Sequence, residues 1–335
     1  MVIVLDCGKL IGYAQRNERM ISSHYDQDAN AVVFAGDCLA LLNEIPDRSM
    51  QLVITSPPYN IGKPYEKKLS LKDYVIQQAR VIESCVRVLK PTGSICWQVG
   101  NFVDKGQIIP LDIALYPIFE RLGLQLRNRI VWHFEHGLHC SNRFSGRYET
   151  VLWFTKTDDY SFNLDPVRVP QKYPGKRHFK GPKAGELSGN PLGKNPGDVW
   201  IIPNVKSNHV EKTAHPCQFP VELVERFVLA LTNEDDWVLD PFLGSGTSVI
   251  AALRQGRRGM GAELAPDYVK IAKDRVYEQL AGRLATRPMH KPVFDPRLAG
   301  NSLTTNHWKI PEVSSLQLLL MQQHANYEIT VHEDI

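Results

Sequence analysis

Val238-Leu239-Asp240-Pro241-Phe242-Leu243-Gly244-Ser245-Gly246-Thr247 reads as a short apolar strand, a turn carrying two glycines and the first residue of a helix. A strand that feeds a helix through such a turn lets a small ligand approach backbone amides at the carboxyl edge of a parallel sheet. The turn lacks the third glycine of G-x-G-x-x-G and the lysine of a phosphate-binding loop, so a dinucleotide or nucleoside triphosphate site is poorly supported. A purely structural turn is the competing reading. Downstream, Gly259 to Glu263 forms the next strand and ends on an acid about twenty residues beyond Asp240, where an α/β nucleotide site offers a carboxylate to ribose hydroxyls. Alone, that acid is as readily a solvated strand end. A helix precedes this unit at Pro220 to Leu231, and another follows it from Pro266 to about Leu284.

The same alternation appears upstream. Ala31 to Ala35 is a strand closed by Gly36-Asp37, and Leu39 to Leu42 a brief helix. Met50 to Thr55 is a strand that must stop at Ser56-Pro57-Pro58-Tyr59, since consecutive prolines cannot continue a ladder. Apolar residues recur at helical spacing from Leu71 to Leu89, and Pro91-Thr92-Gly93 separates that helix from a strand at Ser94 to Val99. A helix over Leu111 to Leu122 and strands at Leu126 to Phe134 and Tyr148 to Thr155 follow. The pattern predicts a three-layer α/β domain over 31–285, with an insert over about 157–212 that is rich in Pro, Gly, Asn and basic residues. Residues 1–30 and 286–335, the latter with an apolar stretch at Leu316 to Met321, read as terminal extensions.

The 335 residues can bury one full α/β core with elaborations. No apolar run is long enough to cross a bilayer, and Asp6 and Lys9 interrupt the place where an export signal needs its apolar stretch. Six cysteines, Cys7, Cys38, Cys85, Cys96, Cys140 and Cys217, form no CxxC pair, which argues against a disulfide framework or zinc ribbon and fits a reducing cytoplasm. The net charge of +3 does not diagnose a nucleic-acid partner. It conceals nine Lys and Arg against three acids within Val167 to Lys212.

In Thr55-Ser56-Pro57-Pro58-Tyr59-Asn60 the paired prolines stiffen the loop and remove donors, leaving carbonyl oxygens and the Ser56 hydroxyl as acceptors. An amine-bearing substrate suits such a loop, and Tyr59 can stack on a base taken out of a helix. A proline-stiffened turn with a packed tyrosine is the plainer reading. Taken together, Thr55 to Asn60 and Asp240 to Thr247 resemble the paired signatures of the DNA amino-methyltransferases, which act on cytosine N4 or adenine N6. Their order, catalytic loop first and cofactor loop last with a basic insert between, is similar to the permuted beta group of that family.

This resemblance implies a Rossmann-like S-adenosylmethionine-dependent fold with a mixed, mostly parallel sheet. It implies that Asp240, Pro241, Phe242 and the turn Gly244, Ser245, Gly246 and Thr247 hold the methionine part of S-adenosylmethionine, and that Glu263 holds the ribose. Asp37 would meet the adenine amine, and Phe219 and Pro220 would line the pocket. It further implies that Ser56, Pro57, Pro58 and Tyr59 are the catalytic loop: the Ser56 hydroxyl and Pro57 carbonyl accept from the target amine while Tyr59 stacks on a flipped base. Serine at position 56 favours cytosine N4 over adenine N6, because adenine-specific relatives more commonly begin this tetrapeptide with aspartate. Both residues can accept from an amine, so adenine N6 stays open.

Duplex DNA is the expected partner, with a cognate restriction endonuclease by family analogy and a homodimer left open. Candidate DNA contacts are His136, His139, Arg143 and Arg147 in one loop and Lys172, Lys176, Arg177, Lys180 and Lys183 in the insert, interleaved with Tyr173, His178 and Phe179. The spacing of His133, His136, His139 and Cys140 invites zinc, but DNA contact is preferred and no metal is expected. Pro216-Cys217-Gln218 imitates the nucleophilic Pro-Cys of ring-carbon methyltransferases; its position before the cofactor strand makes a buried structural cysteine the expectation. An RNA or protein-amide methyltransferase and a catalytically idle DNA-binding homologue are the rival readings.

Overall fold

Alternation along the strands sorts the side chains into two apolar layers. In the computed structural model, which describes residues 21–60, 62, 68–137 and 139–293, the strands are β1 (Ile21–Ser22), β2 (Ala31–Ala35), β3 (Met50–Thr55), β4 (Leu89–Val99), β5 (Asn101–Asp104), β6 (Gln107–Pro110), β7 (Gln125–His133), β8 (Tyr148–Thr155), β9 (Val199–Ile201), β10 (Trp237–Asp240) and β11 (Arg258–Glu263). The helices are α1 (Cys38–Glu44), α2 (Leu71–Val88), α3 (Leu111–Arg121), α4 (Val221–Leu231), α5 (Thr247–Arg254) and α6 (Pro266–Leu280).

Val32, Val53, Ile95 and Leu239 point to one face, where they pack against Leu41 and Leu42 of α1, Ile82 and Cys85 of α2 and Leu115 and Phe119 of α3. Val33, Leu52, Ile54 and Val238 point to the other, against Val224 and Phe227 of α4, Val249 and Ile250 of α5 and Ala272 and Val276 of α6. The result is the expected three-layer α/β fold. Each fully buried Leu or Val contributes about 1.5–3 kcal/mol, so the two layers supply most of the driving force.

The large sheet runs β1-β2-β11-β10-β3-β4-β8-β7-β9. Every neighbouring pair is parallel except those made by β8, which is antiparallel to β4 and β7. All six residues of β3 and all four of β10 are buried, as strands covered on both faces require. Strands late in the chain, β10 and β11, are thus inserted between β2 and β3. At Gly261 a Cβ would lie 2.5 Å from the Asp240 carbonyl, so only glycine lets β11 pass this close to β10.

Four strands go beyond the sequence expectation. β1 adds an edge strand from the region read as an extension, β9 adds the opposite edge from within the insert, and β5 and β6 form a separate hairpin. The hairpin turns at Lys105 and Gly106 with φ of 47° and 86°, the left-handed pair of a tight two-residue loop. At the carboxyl end, Arg287 pairs with Glu222 of α4 and its amide donates to Glu211 at 2.9 Å. By its contacts the compact unit runs to Lys291. The expectations for Cys7 and for Leu316 to Met321 fall outside the described residues. No described helix is long and apolar enough to cross a membrane.

Candidate active site

Four adjacent parallel strands, β2, β11, β10 and β3, bring their carboxyl ends to one edge of the sheet. The segments leaving them enclose a cavity of about 690 Å³. Its wall includes Asp37 after β2, Glu263 at the end of β11, Pro241, Phe242, Gly244, Ser245 and Thr247 after β10, and Ser56 to Tyr59 after β3. Phe219, from the segment before α4, completes it. Both sequence signatures, 185 residues apart at Thr55 and Asp240, therefore face one volume.

Asp240 is the brace between them. It is fully buried and absent from the cavity wall; its carboxylate accepts from Thr55 Oγ1 at 2.5 Å, from the Ser248 hydroxyl and from the Phe242 amide at 3.0 Å. Its contribution to a ligand site is thus indirect, through the two loops it joins. Burial pushes this carboxyl from 3.8 up to about 6, outweighing the three donors. A folded-state pKa above the unfolded one means that the proton favours the fold: the contribution is complete below about pH 4 and is lost as pH rises through about 6. The unfolding free energy of Asp240→Asn relative to the wild type should therefore shift in the variant's favour between those pH values in urea titrations. A constant difference across that window would contradict the assignment.

The glycine turn is left-handed at Gly244 (φ 53°) and Gly246 (φ 83°), conformations that side chains resist. The Gly244 amide donates to Glu263 Oε2 at 2.9 Å and the Ala265 amide to Oε1 at 2.8 Å, so the carboxylate is fixed by backbone on both oxygens. Each oxygen keeps lone-pair capacity for a hydroxyl donor. Burial raises the Glu263 pKa. Behind the turn, buried Arg275 of α6 donates from Nη1 to the Ser245 carbonyl at 2.6 Å, the Ser245 hydroxyl at 3.0 Å and Thr247 Oγ1 at 3.1 Å. Sequence reasoning missed Arg275; the available signal was a cation inside the apolar stripe of Val269, Ala272 and Val276. Gly246 and Pro220 do not reach the cavity wall, and Pro220 is the buried N-cap of α4.

Asp37 caps α1, its Oδ1 accepting from the Leu39 amide at 2.7 Å. On the other side of the cavity, Ser56 Oγ lies 3.1 Å from the Tyr59 hydroxyl, which donates to Glu149 Oε2 of β8 at 3.2 Å. Gln98 of β4 donates to the same oxygen. Gly100 makes room for this cluster, since a Cβ there would lie 3.1 Å from the Tyr59 ring. Asn60, at φ 60°, closes the loop by exchanging two hydrogen bonds with the Leu69 backbone.

A sequence profile of the N6/N4 DNA methylase family, described as DNA methylase, matches residues 50–274. The chain belongs to this family. The Type II methyltransferase M.BglII of Bacillus subtilis is 51% identical over 276 residues, covering 81% of this chain and 76% of the relative. The DNA adenine methyltransferase YhdJ of Escherichia coli is 32% identical, covering 76% and 85%. Among solved structures, a PvuII DNA methyltransferase described as cytosine-N4-specific superposes with a TM-score of 0.60 at 24% identity, over 76% of this chain and 93% of that one. The Thermus thermophilus protein TTHA0409, a putative DNA modification methylase solved with S-adenosylmethionine, gives 0.54 at 28% identity over 75% and 94%.

The basic candidates of this DNA methylase lie off the cavity wall, on two loops. In the first, His136, His139 and Arg143 are exposed, Arg147 is half-buried and Phe144 stands fully in solvent, a feature sequence reasoning did not single out. In the second, 172–188 is exposed throughout, so Lys172, Lys176, Arg177, Lys180 and Lys183 share one solvent-facing segment with Tyr173 and Phe179. The Lys172 ammonium sits 5.5 Å from the Tyr173 ring centroid and that of Lys180 6.0 Å from Phe179. The segment is anchored at its base, where Val169 pairs with Lys194 and Trp200 packs on Phe227. Among the described residues no three His, Cys, Asp or Glu side chains gather as metal ligands do. Cys217 corrects one expectation: it is exposed and lines the cavity, because the segment before α4 that carries His215, Gln218 and Phe219 forms part of the cavity wall instead of entering the core.

Proposed function

We propose that this DNA methylase transfers the methyl group of S-adenosylmethionine to the exocyclic N4 of cytosine in duplex DNA. The observation that carries the reading is the single cavity shared by the Ser56 to Tyr59 loop, the Gly244 turn and Glu263. The cavity fits the cofactor: Glu263 is preset to meet ribose hydroxyls, the Gly244 to Thr247 turn admits the methionine part, Asp37 can accept from the adenine amine, and Phe219 and Phe242 offer apolar walls. Bound there, S-adenosylmethionine supplies an electrophilic methyl on a positively charged sulfur.

The remaining work falls to the chain's own residues. A base amine is a poor nucleophile because its lone pair is delocalised into the ring. Hydrogen bonds from its two N–H groups to Ser56 Oγ and the Pro57 carbonyl favour a pyramidal nitrogen whose lone pair can attack, and Tyr59 stacks on the base to hold it. Reaching that position requires the base to leave the duplex, at about a few kcal/mol, offset by stacking and by backbone contacts from the two basic loops. Phe144, flanked by Arg143 and Arg147, is suited to fill the gap left in the stack.

The relatives named as Type II methyltransferases support a DNA-modification role; a cognate endonuclease of the same site and a cytoplasmic location belong to this reading by family analogy. Adenine N6 is the second reading, favoured by the relative named as an adenine methyltransferase. Transfer of labelled methyl into unmethylated duplex DNA, followed by nucleoside mass spectrometry, tests both: N4-methylcytosine is expected, and N6-methyladenine would reassign the base.

A further inference from the structure

Glu149 has no assigned task in the reaction, yet its carboxylate sits at the end of a hydrogen-bonded chain that leads to the acceptor on the cavity wall. The chain runs from Glu149 through the Tyr59 hydroxyl, at 3.2 Å, to Ser56 Oγ, at 3.1 Å. Tyr59 and Ser56 own one proton each; burial raises the Glu149 pKa against its two donors, but a proton on that carboxyl would sit on Oε1, so Oε2 accepts in either state. Two donors, the Gln98 amide and the Tyr59 hydroxyl, converge on one oxygen of Glu149. With its proton committed there, Tyr59 can only accept from Ser56. The Ser56 proton is then turned away from the cavity and its lone pairs toward it.

We infer that Glu149 is a positioning residue for methyl transfer, fixing the direction of the Ser56–Tyr59–Glu149 chain so that Ser56 meets the base amine as an acceptor. The inference rests on the functional reading above. Without an acceptor at position 149, Tyr59 is free to donate to Ser56, and the serine proton then faces the amine protons, donor against donor. Glu149 does not line the cavity, so it acts through Tyr59 and does not touch the base. The arrangement depends on Gly100, where a Cβ would lie 3.1 Å from the Tyr59 ring and 3.4 Å from Glu149 Oε1.

Single-turnover methyl transfer to duplex DNA, with S-adenosylmethionine affinity measured in parallel by calorimetry, tests this with Glu149→Met, Glu149→Gln, Tyr59→Phe and the Glu149→Met/Tyr59→Phe double variant. Glu149→Met should slow transfer about 100-fold with cofactor affinity unchanged within about threefold. Glu149→Gln, whose carbonyl can still accept from Tyr59, should recover to within about tenfold of the wild type. The double variant should be no slower than Tyr59→Phe alone, since the carboxylate acts only through that hydroxyl. Wild-type transfer by Glu149→Met, a glutamine variant no better than methionine, multiplying effects in the double variant, or a loss of cofactor binding in Glu149→Met each overturns the inference. A wild-type chain that methylates no DNA overturns the functional reading itself.

Discussion

Ser56→Ala should slow methyl transfer by about 10²–10³-fold, the effect of deleting one preorganised polar group at a reacting centre. Ser56 is half-buried on the cavity wall, and its hydroxyl lies 3.1 Å from that of Tyr59. On the proposed mechanism its removal takes one of two acceptors from the amine and leaves the Pro57 carbonyl, so residual activity is expected. The Gly244 turn and Glu263 are untouched by the change, and cofactor affinity should stay within about threefold of the wild type. A rate lost only through weaker cofactor binding would mean that Ser56 shapes the pocket and takes no part in the chemistry.

The second large effect is on DNA affinity. Replacing Lys172, Lys176, Arg177, Lys180 and Lys183 together by glutamine removes up to five phosphate contacts, and the slope of log affinity against log salt should flatten by about 4.5. At low salt the affinity itself should fall by about 10³-fold or more. The thermal midpoint should not move, because residues 172–188 are exposed throughout and the anchoring contacts of Val169 and Trp200 are retained. An unchanged salt slope would assign the segment to a solvated face and leave DNA binding to the loop around Arg143 and Phe144.

The central α/β pattern was legible because each buried strand declares itself locally. Met50 to Thr55 and Trp237 to Asp240 are apolar runs stopped by prolines, and their limits agree with β3 and β10. The short edges were not legible. β9 has one buried residue, Trp200, between two exposed ones, and β1 has two residues in all, too few for a period to show. The loops that meet at the cavity were visible as motifs, whereas the groups that fix them were not. Arg275, Gln98 and Glu149 gain their meaning from partners 28 to 90 residues away, a relation that no local pattern encodes. Asp240 illustrates the converse: the motif drew attention to the right residue, but burial turns its carboxylate to Thr55 and Ser248, away from the cavity.

The most direct measurement is mass spectrometry of nucleosides from unmethylated duplex DNA incubated with the purified protein and isotopically labelled S-adenosylmethionine, with Ser56→Ala alongside. Labelled N4-methylcytosine, sharply reduced in the variant, is the predicted result. Labelled N6-methyladenine would contradict the choice of base while keeping the acceptor chemistry of Ser56 and Pro57, and a wild-type chain that leaves no labelled nucleoside in DNA of varied sequence would contradict the account as a whole.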